Sequence, residues 1–148
     1  MALRQIRLND DPILRKKSRE VPEVTDEVRT ILEDMAETMY HTENGGGLAA
    51  CQVGILRRLV VIDMGTGLIK LVNPRIVKQS GTQICMEGCL SFPNVWGKTV
   101  RPKKVVVEAL DENGEPAVIH GSGDMAKCLC HEIDHLDGIV FTDLMIQE

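Results

Sequence analysis

Two stretches of the chain repeat their apolar residues at helical spacing, and between them the pattern changes to short β-branched runs. In the first, Val28, Ile31, Leu32, Met35 and Met39 fall at i, i+3, i+4, i+7 and i+11, one face of a helix. Thr25 offers an N-cap, and Asp26 and Glu27 place negative charge in the first turn. Asn44-Gly45-Gly46-Gly47 predicts the stop, near Glu43. In the second, Met125, Leu129, Ile133 and Leu136 predict a helix over 123–137, with Gly138 as its terminator. Between the helices, 59–62, 68–72, 76–78 and 105–110 read as strands separated by Gly, Pro and Asn. The loop Asp111-Glu112-Asn113-Gly114-Glu115 predicts a hairpin to a strand at 117–119. One helix, a block of strands and one helix read as α+β with antiparallel sheets, in a single domain over 1–148. Before the first helix, Leu3, Ile6, Ile13 and Leu14 are expected to pin an irregular arm to the body.

Composition narrows the function classes. At 148 residues the chain is long enough for a core without staples, and with two Phe, one Tyr and one Trp that core must be aliphatic. A net charge of −5 leaves no footprint for direct nucleic-acid binding. The basic clusters at Arg15-Lys16-Lys17 and Arg101 to Lys104 read as solvated faces. No apolar run has transmembrane length, and the N-terminus lacks the apolar region of an export signal. Five cysteines, an odd number, then suit a reducing compartment better than a disulfide framework. A cytoplasmic protein without a membrane partner is expected.

The second helix carries the chemistry. His131-Glu132-Ile133-Asp134-His135 is an H-E-x-x-H arrangement. Residues four apart stack one turn apart on a helix, so both imidazoles can reach one ion. Glu132 points toward the open side of such an ion, where a carboxylate can take a proton from bound water. The alternative is a surface helix with two accidental histidines. Two histidines are also an incomplete ligand set, and the remainder must come from elsewhere.

Two further stretches are unusual for a purely structural protein. Gly45-Gly46-Gly47-Leu48-Ala49-Ala50-Cys51-Gln52 lets something approach the backbone closely, and Gln52 offers an amide donor. A phosphate-binding loop would need a strand-then-helix context and a Lys-Ser/Thr pair, both absent. In Glu87-Gly88-Cys89-Leu90-Ser91, Cys89 completes a His2Cys set with one position left for water. Cys85 beside it would instead allow a closed Cys2His2 structural site, in which Glu132 has no use.

Taken together and in this order, the three stretches resemble peptide deformylase. The second and third match its pattern in full. In the first, Gly46 stands where the family has an aliphatic residue. An N-terminal Ile-Arg-x-x-x-Asp-Pro-Ile-Leu-Arg arm extends the likeness across most of the chain. A zincin-type protease shares only H-E-x-x-H and draws its third ligand from downstream, whereas Cys89 lies upstream.

The resemblance implies a hydrolase that removes the formyl group from the N-terminal methionine of newly made proteins. Cys89, His131 and His135 are then the ligands of one divalent ion, Fe2+ in native members, with Zn2+, Ni2+ or Co2+ able to substitute. Glu132 is the implied general base and acid, and Gln52 and the Leu90 N–H the implied oxyanion donors. N-formyl-methionyl nascent peptides would lie along Gly45–Leu48 and Glu87–Cys89, with Gly88 between. Gly46, Cys85, Glu87, Cys128 and His131 are implied around the methionine, Gly46 widening that pocket or loosening its edge. Trp96 sits near a family arginine, so the far rim is expected to differ. Asp134 is expected to pair with the segment at Arg101. The long basic C-terminal helix of some bacterial relatives is missing, so ribosome contact is expected to be transient. A monomer in the bacterial cytoplasm completes the expectation.

Overall fold

The computed structural model describes residues 2–42 and 46–146. Helix α1 spans Asp26–Tyr40, with the Thr25 side chain accepting from Val28 N–H as the N-cap. It stops at His41, short of the expected end near Glu43, which lies outside the described residues. Among the described residues seven strands follow: β1 (Gly47–Ala49), β2 (Leu59–Ile62), β3 (Ile69–Ser80), β4 (Gln83–Cys89), β5 (Phe92–Arg101), β6 (Lys104–Leu110) and β7 (Pro116–Ser122). Helix α2 then spans Asp124–Leu136, inside the expected 123–137. Gly138 follows at φ +75°, where an added Cβ would sit 2.5 Å from the Arg15 carbonyl oxygen. Only glycine fits that turn.

The fold is α+β, with antiparallel pairing throughout the named strands. One sheet runs in the order β1-β2-β3-β6-β7, and β4 and β5 form a separate two-stranded ribbon. Strand β2 organises the core. Its four residues are all buried because a helix covers each face of the sheet there. Leu59 and Val61 pack with the α1 stripe of Val28, Leu32, Met35 and Met39. Val60 and Ile62 face the other way, into a second cluster with Leu129, Ile133 and Leu136 of α2. Alternation of side chains along a strand produces this division. Each fully buried aliphatic side chain contributes about 1.5–3 kcal/mol of burial.

Several expectations need correction. The runs 68–72 and 76–78 belong to one strand, β3, which passes Asn73-Pro74 with its register shifted. Asn73, at φ +52°, substitutes its side chain for the lost ladder by accepting from Val21 N–H and donating to Val21 O, both at 2.8 Å. Strands β1, β4 and β5 have no counterpart among the predicted elements. The arm is held differently too. Leu14 is buried and Ile6 packs on the α1 cluster, but Leu3 is exposed. Hydrogen bonds hold that end instead, from Ala2 N–H and the Arg4 guanidinium to the buried Asp34.

Candidate metal centre

Helix α2 brings His131 and His135 to one side of the interior, and β4 delivers Cys89 opposite them. Their candidate ligand atoms all lie within 4.8 Å of one another, the one such group among the described residues. Cys89 Sγ is 3.2 Å from His135 Nε2. Cys85 stands outside this group, so a closed Cys2His2 arrangement is not what the chain builds.

His131 is aimed by a buried carboxylate, whereas His135 Nδ1 has no hydrogen-bond partner among the described residues. The Glu87 carboxylate lies 2.8 Å from His131 Nδ1. An ionised carboxylate can only accept, so Nδ1 carries the hydrogen and the Nε2 lone pair is left for a ligand. Glu87 is itself clamped by Thr99 Oγ1 and by two nitrogens of Arg101, at 2.6 and 2.9 Å. Burial works to raise the Glu87 pKa, but the hydrogen bonds from Arg101, His131 and Thr99 outweigh it and hold the carboxyl well below its ordinary range. Arg101 also reaches Asp134 at 2.6 Å, the pairing expected of Asp134. It is 5% exposed, so this end of the 101–104 cluster is no solvated face. Phe141, also buried, stacks on His131 with ring centroids 5.9 Å apart.

Gln52 is fixed at both ends of its amide. Its Oε1 accepts from Ala49 N–H at 2.9 Å, which turns Nε2 toward Ser91 Oγ at 3.1 Å and Cys89 Sγ at 3.5 Å. The arm braces the same pair of segments, with Arg7 N–H donating to Gln52 O and Asn9 N–H to Ser91 O. Glu132 is buried beside the ligands, and its Oε1 has no hydrogen-bond partner. Burial pushes its carboxyl up to about 7, against the pull of His131. Burial likewise drives His135 well below the ordinary histidine range, a neutral imidazole being the form that ligates. Two nitrogens, one sulfur and an adjacent unpartnered carboxylate oxygen suit a divalent transition metal with a free position.

The centre opens into a cleft of about 480 Å³, lined by Gly46, Gly47, Gln52, Glu87 to Leu90, Cys128, His131 and Glu132 among others. Gly45 lies outside the described residues. The close approach expected of the glycines is present at Gly47. A Cβ on Gly47 would fall 2.8 Å from Glu132 Oε2 and 3.0 Å from Cys128 Sγ, so the backbone approach serves the carboxylate and the thiol. At Gly46 the space is claimed by Met64, whose sulfur would sit 3.0 Å from an added Cβ. Cys85 is buried in β4 and absent from the cleft lining, and the Glu87 side chain turns inward to His131. Sequence reasoning leaves Ser91 unassigned and passes over Thr99 and Phe141. The pairing register, which opposes Glu87 to Gly97 and Cys85 to Thr99, is the signal that would have found Thr99.

Comparison with known proteins places these features. Residues 3–148 match the model of the polypeptide deformylase family. "Peptide deformylase 2" of Clostridium acetobutylicum is 64% identical over 147 residues, covering 99% of this chain and 98% of that protein. A peptide deformylase of Acetivibrio thermocellus is 56% identical, covering 99% of this chain and 86% of that one. The crystal structure of peptide deformylase from Thermotoga maritima superposes with a TM-score of 0.94 at 37% identity, over 98% of this chain and 99% of that chain.

Proposed function

The chain belongs to the polypeptide deformylase family, hydrolases that remove the N-formyl group from nascent peptides, and we propose that its catalytic work is divided among the residues of this cleft. Cys89, His131 and His135 hold the divalent ion, Fe2+ in the cell, with Zn2+, Ni2+ or Co2+ as working substitutes. Bound there, the ion would supply Lewis acidity and lower the pKa of water. Glu132 takes the proton of the attacking water and returns it to the leaving amine, one carboxyl acting as base and then acid. Gln52 Nε2–H and Leu90 N–H hold the oxygen of the formyl group as negative charge develops on it. Formate and a free methionyl N-terminus leave.

The buried, unpartnered Glu132 oxygen beside three convergent donor atoms carries this reading. A closed structural site has no role for that oxygen. The peptide lies in extended form between β1 and β4, along Gly46 and Gly47 on one side and Glu87 and Gly88 on the other, its methionine beside Cys128 and His131. Among the described residues no helix is long and apolar enough to cross a membrane. We place the enzyme in the bacterial cytoplasm, a monomer meeting its substrates transiently at the ribosome, because the relatives are bacterial and the substrates nascent.

The test is formate release from formyl-Met-Ala-Ser by protein prepared anaerobically with Fe2+, beside Glu132→Ala. The wild type is expected to turn over, and the variant to bind metal but lose about 10²–10⁴ in kcat. Undiminished turnover by the variant would remove Glu132 from the mechanism.

A further inference from the structure

The cleft contains an ammonium group that the catalytic roles above leave unused. Lys127 lines the cavity with Cys128 and His131, and its side chain is only 26% exposed. The contacts of its Nζ are long, to Met86 O at 3.5 Å and to the Asp124 carboxylate at 3.9 Å. Asp124 is itself well exposed, and an ion pair of that length in water holds a lysine weakly. An ammonium has three hydrogens to donate. Lys127 therefore keeps donors for a ligand atom placed in the cleft.

Its position on α2 says where that atom would be. Lys127 stands one turn before His131 on the same face of the helix. Four helical residues advance about 6 Å, so a long side chain entering beside His131 and running toward the start of α2 ends against Lys127. The first turn of α2, which contains Lys127, is also the positive end of the helix dipole. Both features suit an atom that carries negative charge. The thioether sulfur of methionine is a poor match, since it is only a weak acceptor. Oxidation to the sulfoxide puts a strongly polar oxygen on that sulfur and leaves the length of the side chain unchanged. A wall of carbon alone would bury this oxygen without a donor, which is unfavourable. Lys127 supplies the donor.

We propose that the chain also deformylates peptides whose formylated methionine has been oxidised to the sulfoxide, with Lys127 Nζ donating a hydrogen bond to the sulfoxide oxygen. The inference rests on the deformylase reading and extends it to a second class of substrate. Water adds to the formyl carbon, the C–N bond breaks, and formate and a free amine leave. The sulfoxide passes through unreduced. Lys127 determines specificity and takes no part in breaking the bond. The sulfur of a sulfoxide is a stereocentre, and Lys127 stands on one wall only. One epimer presents its oxygen to Nζ, and the other turns it away.

The test measures formate release from formyl-Met-Ala-Ser, from its norleucine analogue and from both sulfoxide epimers, on wild type, Lys127→Arg and Lys127→Met carrying the same metal. Norleucine has the length of methionine and no acceptor, so it is the reference for shape. In the wild type, kcat/KM for the better epimer is expected within about tenfold of the norleucine value, and about tenfold above the other epimer. A hydrogen bond from a charged donor is worth about 10–100-fold, so the sulfoxide-to-norleucine ratio should fall by that factor in Lys127→Met and persist in Lys127→Arg. The epimer preference should vanish with it. A general disturbance of the cleft would slow all four peptides together and leave both ratios unmoved, and that result overturns the proposal. So does a wild type that turns over formyl-Met-Ala-Ser but handles both epimers more than about a hundredfold below norleucine, the discrimination of a wall without a donor. This second comparison needs no variant and stands even where Lys127→Met does not fold. Absence of release from every peptide overturns the deformylase reading itself, and the proposal with it.

Discussion

In the five-stranded sheet, β2 buries Leu59, Val60, Val61 and Ile62, while across the β4–β5 ribbon the inward positions are held by Glu87, Thr99 and Arg101 and the outward ones by Ile84, Met86 and Val100. Ile84 is 69% exposed and Arg101 only 5%. Both regions are antiparallel β-structure, yet they bury opposite chemistries. The sheet is held by apolar area, which is tolerant of small displacements. The ribbon is held by ion pairs and hydrogen bonds among Glu87, Thr99, Arg101 and Asp134, which demand particular distances and angles. It is the ribbon that supplies Cys89 and, through Glu87, orients His131. The molecule thus separates the part that keeps it folded from the part that aims its ligands.

Substituting Arg101 tests that division with the largest effect. Arg101→Met strands the buried Glu87 carboxylate and frees Asp134, and losing one partner of a buried charge network costs about 3–5 kcal/mol. Urea denaturation should show the loss, and the folded fraction should bind less metal because His131 is no longer fixed. Leu129, fully buried against β2, provides the counterpart. Leu129→Ala should cost about 2–5 kcal/mol through lost contacts and a cavity, while protein that remains folded keeps its full complement of metal. Equal metal loss in both variants would show that the two regions are not independent.

The same contrast decides what is legible in the amino-acid sequence. Both helices can be read there because their apolar residues repeat at 3.6-residue spacing, and His131 and His135 because four residues return to one face. Cys89 needs only its neighbours. The ribbon is hard to read because its pattern is inverted, with apolar residues outside and charges inside, so polarity assigns the wrong face to Gln83–Cys89 and Phe92–Arg101. Glu87 reads as a substrate residue for the same reason. Its identity is visible in the chain, but the partners that claim it, Thr99 and Arg101, meet it only through cross-strand pairing. Gly46 and Gly47 can be recognised as places of close approach. That Met64 and Glu132 make the approach is a tertiary fact.

Ser91 sharpens the comparison at smaller cost. It is fully buried, and its hydroxyl accepts from Gln52 Nε2. Ser91→Ala leaves that donor without its oxygen, a loss of about 1–3 kcal/mol if nothing replaces it. Because the Gln52 amide is then held through Oε1 but less firmly at Nε2, kcat should fall more than KM rises, and Ser91→Thr, which restores a hydroxyl, should recover part of kcat. A purely structural role would lower thermal stability and leave kcat intact in the folded protein.

The smallest expected effect is the most direct test of the inversion. Ile62 and Ile84 are both strand isoleucines. Ile62→Thr places a hydroxyl among Val60, Leu71 and Leu129 at a site with no exposure, removing apolar contacts and burying a polar group. Its cost should be about 1–3 kcal/mol in a chemical denaturation curve. Ile84→Thr makes the identical change on the open face of the ribbon, where the side chain already meets water and the β-branch is retained. Its effect should stay within about 0.5 kcal/mol. A large loss at Ile84 would mean that something covers the outer face of the ribbon, and the inversion would then be an interface, with the apolar residues buried after all.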